Sequence, residues 1–389
     1  MTEAHDKRIG LAFMHPLQPR SLAGVLLSAI LPLALVFLSP ACRHKVETVD
    51  RVFVSKNGAA TVAVVKSADT ESVLLNGEPV GGSYDEVSAP AISPQGDSVA
   101  YAARKGTQWT VVHDRAQVGQ SYASATQPVF SPDGRSLAFV ATAEGKTFLV
   151  KNGVQISQGC DQVRDPVFSP DSQSLAYIAS SGAKSVLMRD GVRLGDEYDQ
   201  YKDEKIGKPV FSPDGRSVVH IASTEERWYI VKNGARFNED YDQVGEPAFS
   251  PDGQSIAFPA FMEDKGWFLV LNNEPVGKAT YQYMQRAIFS PDGHTIAFSA
   301  MIGIKYVVIR GDAQVGSQYD WAGDPVFSPD GRSIAFAVKN GNRWFLIKNG
   351  VQSEQAYDRI SNIENSRNGS SLVFVGILGG TSQRVEIPW

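Results

Sequence analysis

A four-residue motif, Ser-Pro-Asp-Gly, returns along this chain at nearly constant intervals, and no other feature limits its possible folds as strongly. The motif or a close variant begins at Ser93 (SPQG), Ser131, Ser169 (SPDS), Ser212, Ser250, Ser290 and Ser328. Degenerate copies stand at Ser55 (SKNG) and Ser366 (SRNG), and the steps between the nine anchors are 38, 38, 38, 43, 38, 40, 38 and 38 residues. Self-similarity of this kind marks a stack of one structural unit whose copies bury one another.

The unit can be read residue by residue. A short apolar run such as Pro128-Val129-Phe130 enters the motif, and a second run such as Ser136-Leu137-Ala138-Phe139-Val140 leaves it. In the motif, Pro presets φ, Asp bonds back to the backbone and Gly takes positive φ, so this is a tight turn between two strands. A third run often opens on an aromatic residue, as in Trp344-Phe345-Leu346-Ile347, and ends in Asn76-Gly77, Asn152-Gly153, Asp190-Gly191, Asn233-Gly234 or Asn349-Gly350. Asn-Gly is the strongest short hairpin signal, because a type I′ turn needs positive φ at both central residues. A more polar fourth segment leads to a Tyr-Asp pair and the next unit. The runs are short and rich in Val, Ile, Phe and Trp, with no helical period. Each unit therefore reads as a four-stranded antiparallel meander.

One meander cannot bury both of its faces. Meanders stacked around an axis can, which makes the expected fold an all-β propeller over residues 43–389. The recurring ring of the second strand (Tyr101, Phe139, Tyr177, Phe258, Phe298, Phe336, Phe374) would fill the space between blades. The repeat count gives nine blades, or eight if one terminal unit is degenerate. The last unit ends at Trp389 after its third run. Shifting the N-terminal segment by one period sets Cys42–Arg51 on Val80–Ala89, so the residues after Cys42 are expected to pair with the last blade and latch the ring.

Residues 1–42 differ in kind. Arg20 precedes an apolar stretch from Leu22 to Leu38, and Ser39-Pro40-Ala41 leads to Cys42. This reads as an export signal, to be left out of the fold. A cysteine at the cleavage point makes it lipoprotein-like, with Cys42 the lipidated residue. A plain secretion signal and an uncleaved anchor stay open, as does Met14 as the start. Beyond Cys42 the chain holds one cysteine, Cys160, read as a small, partly buried apolar residue.

The pattern Phe-Ser-Pro-Asp-Gly followed by a Ser-apolar-Ala-Phe run resembles the TolB-type, or WD-like, propeller repeat. It is carried by Phe130–Phe139, Phe211–Ala222, Phe249–Phe258, Phe289–Phe298 and Phe327–Phe336. The resemblance implies a propeller fold. Relatives with such repeats include an envelope protein that binds partner proteins and the non-catalytic propellers of prolyl-oligopeptidase-like peptidases. A helical N-terminal domain of the TolB kind is not seen, and the unit count differs from that family's.

Composition excludes some classes. The formal net charge is −5, and the segment before Cys42 carries Lys7, Arg8 and Arg20 against Glu3 and Asp6, so the rest is more acidic still. With no basic run interleaved with aromatics, nucleic acid is not expected as a partner. No Gly-x-Ser-x-Gly elbow, HExxH, phosphate-binding glycine loop or EF-hand loop occurs. The expectation is a chain that is not an enzyme and needs no cofactor or metal. His220 stands where other units carry Phe or Tyr; it reads as a core histidine satisfied by a backbone partner, or else as a polar switch between blades. The motif aspartates and the Tyr-Asp pairs (Tyr84-Asp85, Tyr198-Asp199, Tyr241-Asp242, Tyr319-Asp320, Tyr357-Asp358) read as structural, since they recur in register; Tyr122 and Tyr281 keep the Tyr alone, and Cys160-Asp161 keeps the Asp alone.

Recognition should rest on what varies. One candidate is the insertion within Gln200–Ile206, with Tyr201, Lys202 and Asp203; the Phe261–Gly266 loop is also lengthened, and both fall on the face opposite the Ser-Pro-Asp-Gly turns. The other candidate is the position four before each anchor Ser: Arg51, Ala89, Gln127, Asp165, Lys208, Glu246, Arg286, Asp324 and Asn362. It changes in charge and size while its frame does not. Placed where the innermost strand begins, it would ring one mouth of the channel. The expected function is an exported, lipid-anchored, monomeric scaffold of a bacterial cell envelope, periplasmic or surface-facing, that binds a protein or peptide and meets the membrane only through its N-terminal anchor. The alternatives are a small-molecule or carbohydrate sensor at the channel mouth and a propeller enzyme of lyase or quinoprotein type.

Overall fold

The computed structural model describes residues 48–389 apart from 56–57, 59, 200–204, 225–226, 238, 278 and 367. The expected signal over 1–42, with Cys42, and the insertion residues Tyr201, Lys202 and Asp203 lie outside the described residues. Among those described there is no helix. The chain is a β-propeller of antiparallel sheets, here numbered in chain order from first to ninth: 48–79, 86–122, 124–155, 162–199, 205–236, 243–275, 283–319, 321–352 and 359–388.

The turns form as their residues dictate. In the third sheet Ser131 Oγ donates to Asp133 Oδ1 at 2.5 Å, and that oxygen accepts the Arg135 N–H at 3.0 Å. Ser131 Oγ in turn accepts the Ser136 N–H at 2.9 Å. These bonds hold the carboxyl groups of Asp133, Asp171, Asp214, Asp252, Asp292 and Asp330 below the usual carboxylate range, the Ser hydroxyl contributing most. The second hairpin turn takes the expected form, with Asn152 at φ 50° and Gly153 at φ 82°. The Asn152 side chain also closes the pair of strands, its Oδ1 accepting the Leu137 N–H at 2.7 Å.

Second strands such as Leu137–Ala143 are buried on both faces, and short fourth strands such as Val154–Gln155 are exposed. First strands of successive sheets lie together: Ala91–Ile92 against Val129–Phe130, and Ala248–Phe249 against Ile288–Phe289. The sheets thus fan outward from their first strands. Apolar side chains fill the eight junctions, each cluster drawing on two successive sheets. At seven of these junctions a Tyr from the earlier sheet's end meets the second-strand ring of the next edge to face. The pairs are Tyr84–Tyr101, Tyr122–Phe139, Tyr198–His220, Tyr241–Phe258, Tyr281–Phe298, Tyr319–Phe336 and Tyr357–Phe374, with centroids 5.6 to 6.2 Å apart.

The aspartate beside that Tyr staples the same junction. Asp320 takes Lys305 Nζ of the seventh sheet and the Gly341 N–H of the eighth at 2.6 Å. Asp358 takes Arg343 of the eighth at 2.7 Å and the Gly379 N–H of the ninth at 2.6 Å. The Tyr-Asp pairs are therefore a structural fixture of the junctions that carry them.

One expectation about the first strand is corrected. It begins earlier than the fourth residue before the anchor: in the eighth sheet it comprises Trp321–Ala322 and Val326–Phe327, both paired with Ile334–Asn340. In the fourth sheet it is continuous, but its register shifts between Arg164 and Val167. Proline, which has no N–H to give the ladder, sits inside the interruption as Pro166 or Pro325. The expected latch is narrowed to residues 43–47, which lie outside the described residues. Thr48–Arg51, part of the segment expected to join the last sheet, pairs with Thr61–Ser67 as the first strand of the first sheet. Phe53 on this strand packs into the cluster with Val62 and Val64, which fixes the pairing. The ninth sheet has three strands among the described residues, and none of the clusters there joins it to the first.

Candidate functional site

The varied position lies at the interruption of the first strand, midway along it, rather than where the strand begins. Its residues do not form one ring of contacts. Arg286 Nε meets Asp324 Oδ2 at 3.1 Å across the seventh and eighth sheets. Burial pushes the Asp324 carboxyl up from its ordinary value, the Arg286 guanidinium pulls it back, and Glu246 of the sixth sheet adds to the rise. Three successive sheets therefore contribute Glu246, Arg286 and Asp324 to one electrostatic group.

A cleft of 720 Å³ opens beside this group, lined by Arg286, Asp324 and Asn362 together with Trp321 and Asn365. Trp321 stands at the start of its first strand, 4.9 Å between centroids from Trp344. Asn365 Nδ2 donates to Phe327 O at 3.0 Å, and its Oδ1 accepts Trp389 Nε1–H at 2.7 Å, so one wall of the cleft is held by side-chain amides. Gln285 Nε2 reaches Ala322 O at 3.1 Å. The cleft thus offers a cation, a carboxylate and an indole within one concave surface.

The other predicted residues lie elsewhere. Arg51 turns to the buried Glu71 at 3.0 Å and to Asp50 at 3.1 Å, with its guanidinium also donating to Val87 O at 3.1 Å. Asp165 is taken by its chain neighbour Arg164 at 2.5 Å, while Arg164 reaches Ile206 O at 2.8 Å. Gln127 lines a separate cleft of 550 Å³ with Phe53, Val54 and Val129. No ion pair involves Lys208 among the described residues. Trp321 was missed by the sequence reading, although a signal existed: seven residues before the anchor most units carry a polar residue, and the seventh and eighth carry Tyr283 and Trp321.

Among the histidines, His113 lies beside a serine and a carboxylate. Ser98 Oγ lies 2.7 Å from His113 Nε2, and Asp114 is close by. Here the carboxylate accepts from the serine hydroxyl, at 2.9 and 3.0 Å, instead of orienting the far imidazole nitrogen. Asp114 also caps the Val99 N–H at 3.0 Å, as the hairpin Asn does in other sheets. The serine is thus part of the repeated turn lock, and its geometry is not that of a triad. His220 is buried, with Nε2 3.3 Å from Tyr198 Oη and Nδ1 without a hydrogen-bond partner. Its partner is therefore a side chain, contrary to the expected backbone group. Burial lowers its pKa from 6.5 to about 4.

No family model matches the chain, and no curated protein matches its sequence. Among solved structures it is similar to a eukaryotic initiation factor, 14% identical over 90% of each chain with a TM-score of 0.49. It is also similar to the Dos1 propeller, 12% identical over 78% of this chain and 93% of that one, with a TM-score of 0.42. TolB from Acinetobacter baumannii is 14% identical over 86% of this chain and 78% of that one, with a TM-score of 0.33. No helix among the described residues is long and apolar enough to cross a membrane.

Proposed function

We propose that this chain is a non-catalytic binding scaffold that takes a protein or peptide partner in the cleft of the seventh to ninth sheets, and that it acts in a cell envelope after export. The observation that carries the reading is the meeting of the Arg286–Asp324 pair with Trp321 in one concave site of 720 Å³. An indole beside a charge pair is the composition of an interface hot spot. Export and lipid attachment rest on the apolar stretch Leu22–Leu38 and Cys42 in the sequence.

The test is affinity capture from envelope extracts, comparing the wild-type chain with a Trp321→Ala/Arg286→Ala variant of unchanged melting temperature. A partner held by the wild-type chain and lost by the variant supports the reading. Undiminished capture refutes the cleft as its seat. A second reading has its own observation, the Trp321–Trp344 pair, whose rings would suit a sugar face beside polar groups. Binding of a purified oligosaccharide that disappears in Trp321→Ala, with no protein captured, would favour it.

A further inference from the structure

The chain enters the described fold at Thr48, which pairs with Lys66 beside the hairpin joining Thr61–Ser67 to Thr70–Leu75. Thr48 stands seven residues before its anchor serine. Tyr283 holds the same place in the seventh sheet, where it pairs with Met301 near the corresponding hairpin. The chain preceding Thr48 therefore joins the molecule on the face made by the hairpins between second and third strands. That preceding chain carries Cys42 and the apolar stretch 22–38. Cys42 precedes Thr48 by six residues, and an extended chain of that length reaches about 20 Å at most. Whatever fastens Cys42 to a bilayer holds this face close to it.

On the same face one hairpin departs from the others. Gly303-Ile304 forms the tip between Ile296–Ile302 and Lys305–Arg310, and Ile304 is 86% exposed. Every other unit carries a polar residue, glycine or alanine at this place, as with Thr107 and Asn342. Ile302, at the foot of the tip, is 44% exposed, and Tyr283 is 42% exposed. Tyr283 meets Trp267 of the sixth sheet edge to face with centroids 6.1 Å apart, and Trp267 meets Phe261 at 5.6 Å. The ends of two neighbouring sheets thus present a row of aromatic and apolar side chains that finishes in a bare isoleucine. Apolar surface gathered in this way marks a contact.

The shape and chemistry of the row select the partner. The tip is convex, so it suits a yielding surface better than a rigid complementary one. An aliphatic side chain at such a tip can enter the acyl region of a bilayer, while the amphipathic rings of Tyr283 and Trp267 lie at headgroup level. Lys305, the cation at the foot of the tip, is already taken by Asp320. The attraction is therefore apolar and does not call for anionic lipid.

We propose that the Gly303-Ile304 tip, with Ile302 and Tyr283, is a lipid-binding surface that dips into the bilayer to which the N-terminal segment attaches the chain. The inference rests on the envelope attachment proposed above. It adds a second membrane contact to that attachment, and the two together set which face of the propeller is turned toward lipid.

The test is photolabelling of the full chain on phosphatidylcholine vesicles that include a phosphatidylcholine with a diazirine in its acyl chain. Irradiation marks side chains that touch hydrocarbon, and peptide mass spectrometry locates the marks. The expected result is label on residues 302–305 and on the segment before Thr48, with none on the turn at 131–136 of the opposite face. Ile304→Asp should lose the label on 302–305 and keep the N-terminal label. Label confined to the segment before Thr48 would overturn this contact and leave the attachment standing. Absence of label anywhere would overturn both. Label that persists on 302–305 in Ile304→Asp would overturn the role of the tip. A wild-type chain that sediments as a dimer in vesicle-free detergent solution, and as a monomer once Ile304→Asp is made, would assign the patch to a second copy and overturn the lipid contact. The label map of the wild-type chain needs no variant to fold.

Discussion

The junction between the second and third sheets and the junction between the fourth and fifth share one plan and differ in one ring. In the first, Tyr122 meets Phe139 with centroids 5.7 Å apart; in the second, Tyr198 meets His220 at 5.8 Å. Both second-strand rings are buried. Shape is thus preserved and chemistry is not. Phe139 asks nothing of its surroundings, whereas His220 brings two nitrogens into a layer that satisfies only one of them. The layer therefore selects for a flat ring of given outline, and a polar ring is admitted at a cost that depends on pH.

The comparison breaks most forcefully at Phe139. Phe139→Ala should destabilise the chain by about 3–5 kcal/mol, since a buried ring is lost from a layer that cannot collapse onto the gap. Chemical denaturation of the variant measures it, and a loss under about 1 kcal/mol would show that the ring layer does not hold the junction. Next comes pH. Burial holds the folded His220 neutral down to about 4, against 6.5 for an ordinary histidine. The unfolded chain binds that proton first, so stability is fully present above pH 6.5 and is lost as pH falls toward 4. The shift corresponds to about 3 kcal/mol. His220→Phe should restore the missing stability at pH 5 and leave the Phe139 junction unaffected. If wild-type and variant show equal pH profiles between 4 and 7, His220 is not the titrating group. The smallest effect belongs to the aspartate staple. Asp242 takes the Arg227 guanidinium and the Glu263 N–H at 2.7 Å, and Asp242→Ala should cost about 1 kcal/mol by equilibrium unfolding. A cost similar to that of Phe139→Ala would mean that the aspartates, not the rings, order the junction.

The turn chemistry was legible in the sequence because it is local. Ser131, Asp133 and Gly134 act on backbone within a few residues, and Asn152 and Gly153 take the positive φ of their own turn, so their identities alone fix these roles. The ring layer was legible through periodicity. The start of the first strand was not, because Pro166 and Pro325 interrupt it and make its first half read as the end of the previous unit. That same misplacement carried the expected latch too far along the chain: moved by one period, Thr48 and Val49 fall on Glu86 and Val87, which open the first strand of the second sheet. The candidate cleft was legible only in part. Arg286 and Asp324 were singled out from their variation, but their pairing depends on how far each first strand is turned toward its neighbour, which no single unit records. Trp321 was hidden by the assumption that one position per unit carries recognition.

Each apolar cluster draws on two successive sheets and no more. Cohesion in this molecule is therefore bounded by nearest neighbours, like tiles that grip only along shared seams. A change inside one layer is felt at a single seam, which is how one unit can trade a tyrosine for a cysteine and another a phenylalanine for a histidine while the turns on every side stay as they were. Such an architecture lets lineages grow or shrink by whole tiles, and it lets individual seams drift toward new chemistry without asking the remainder to follow.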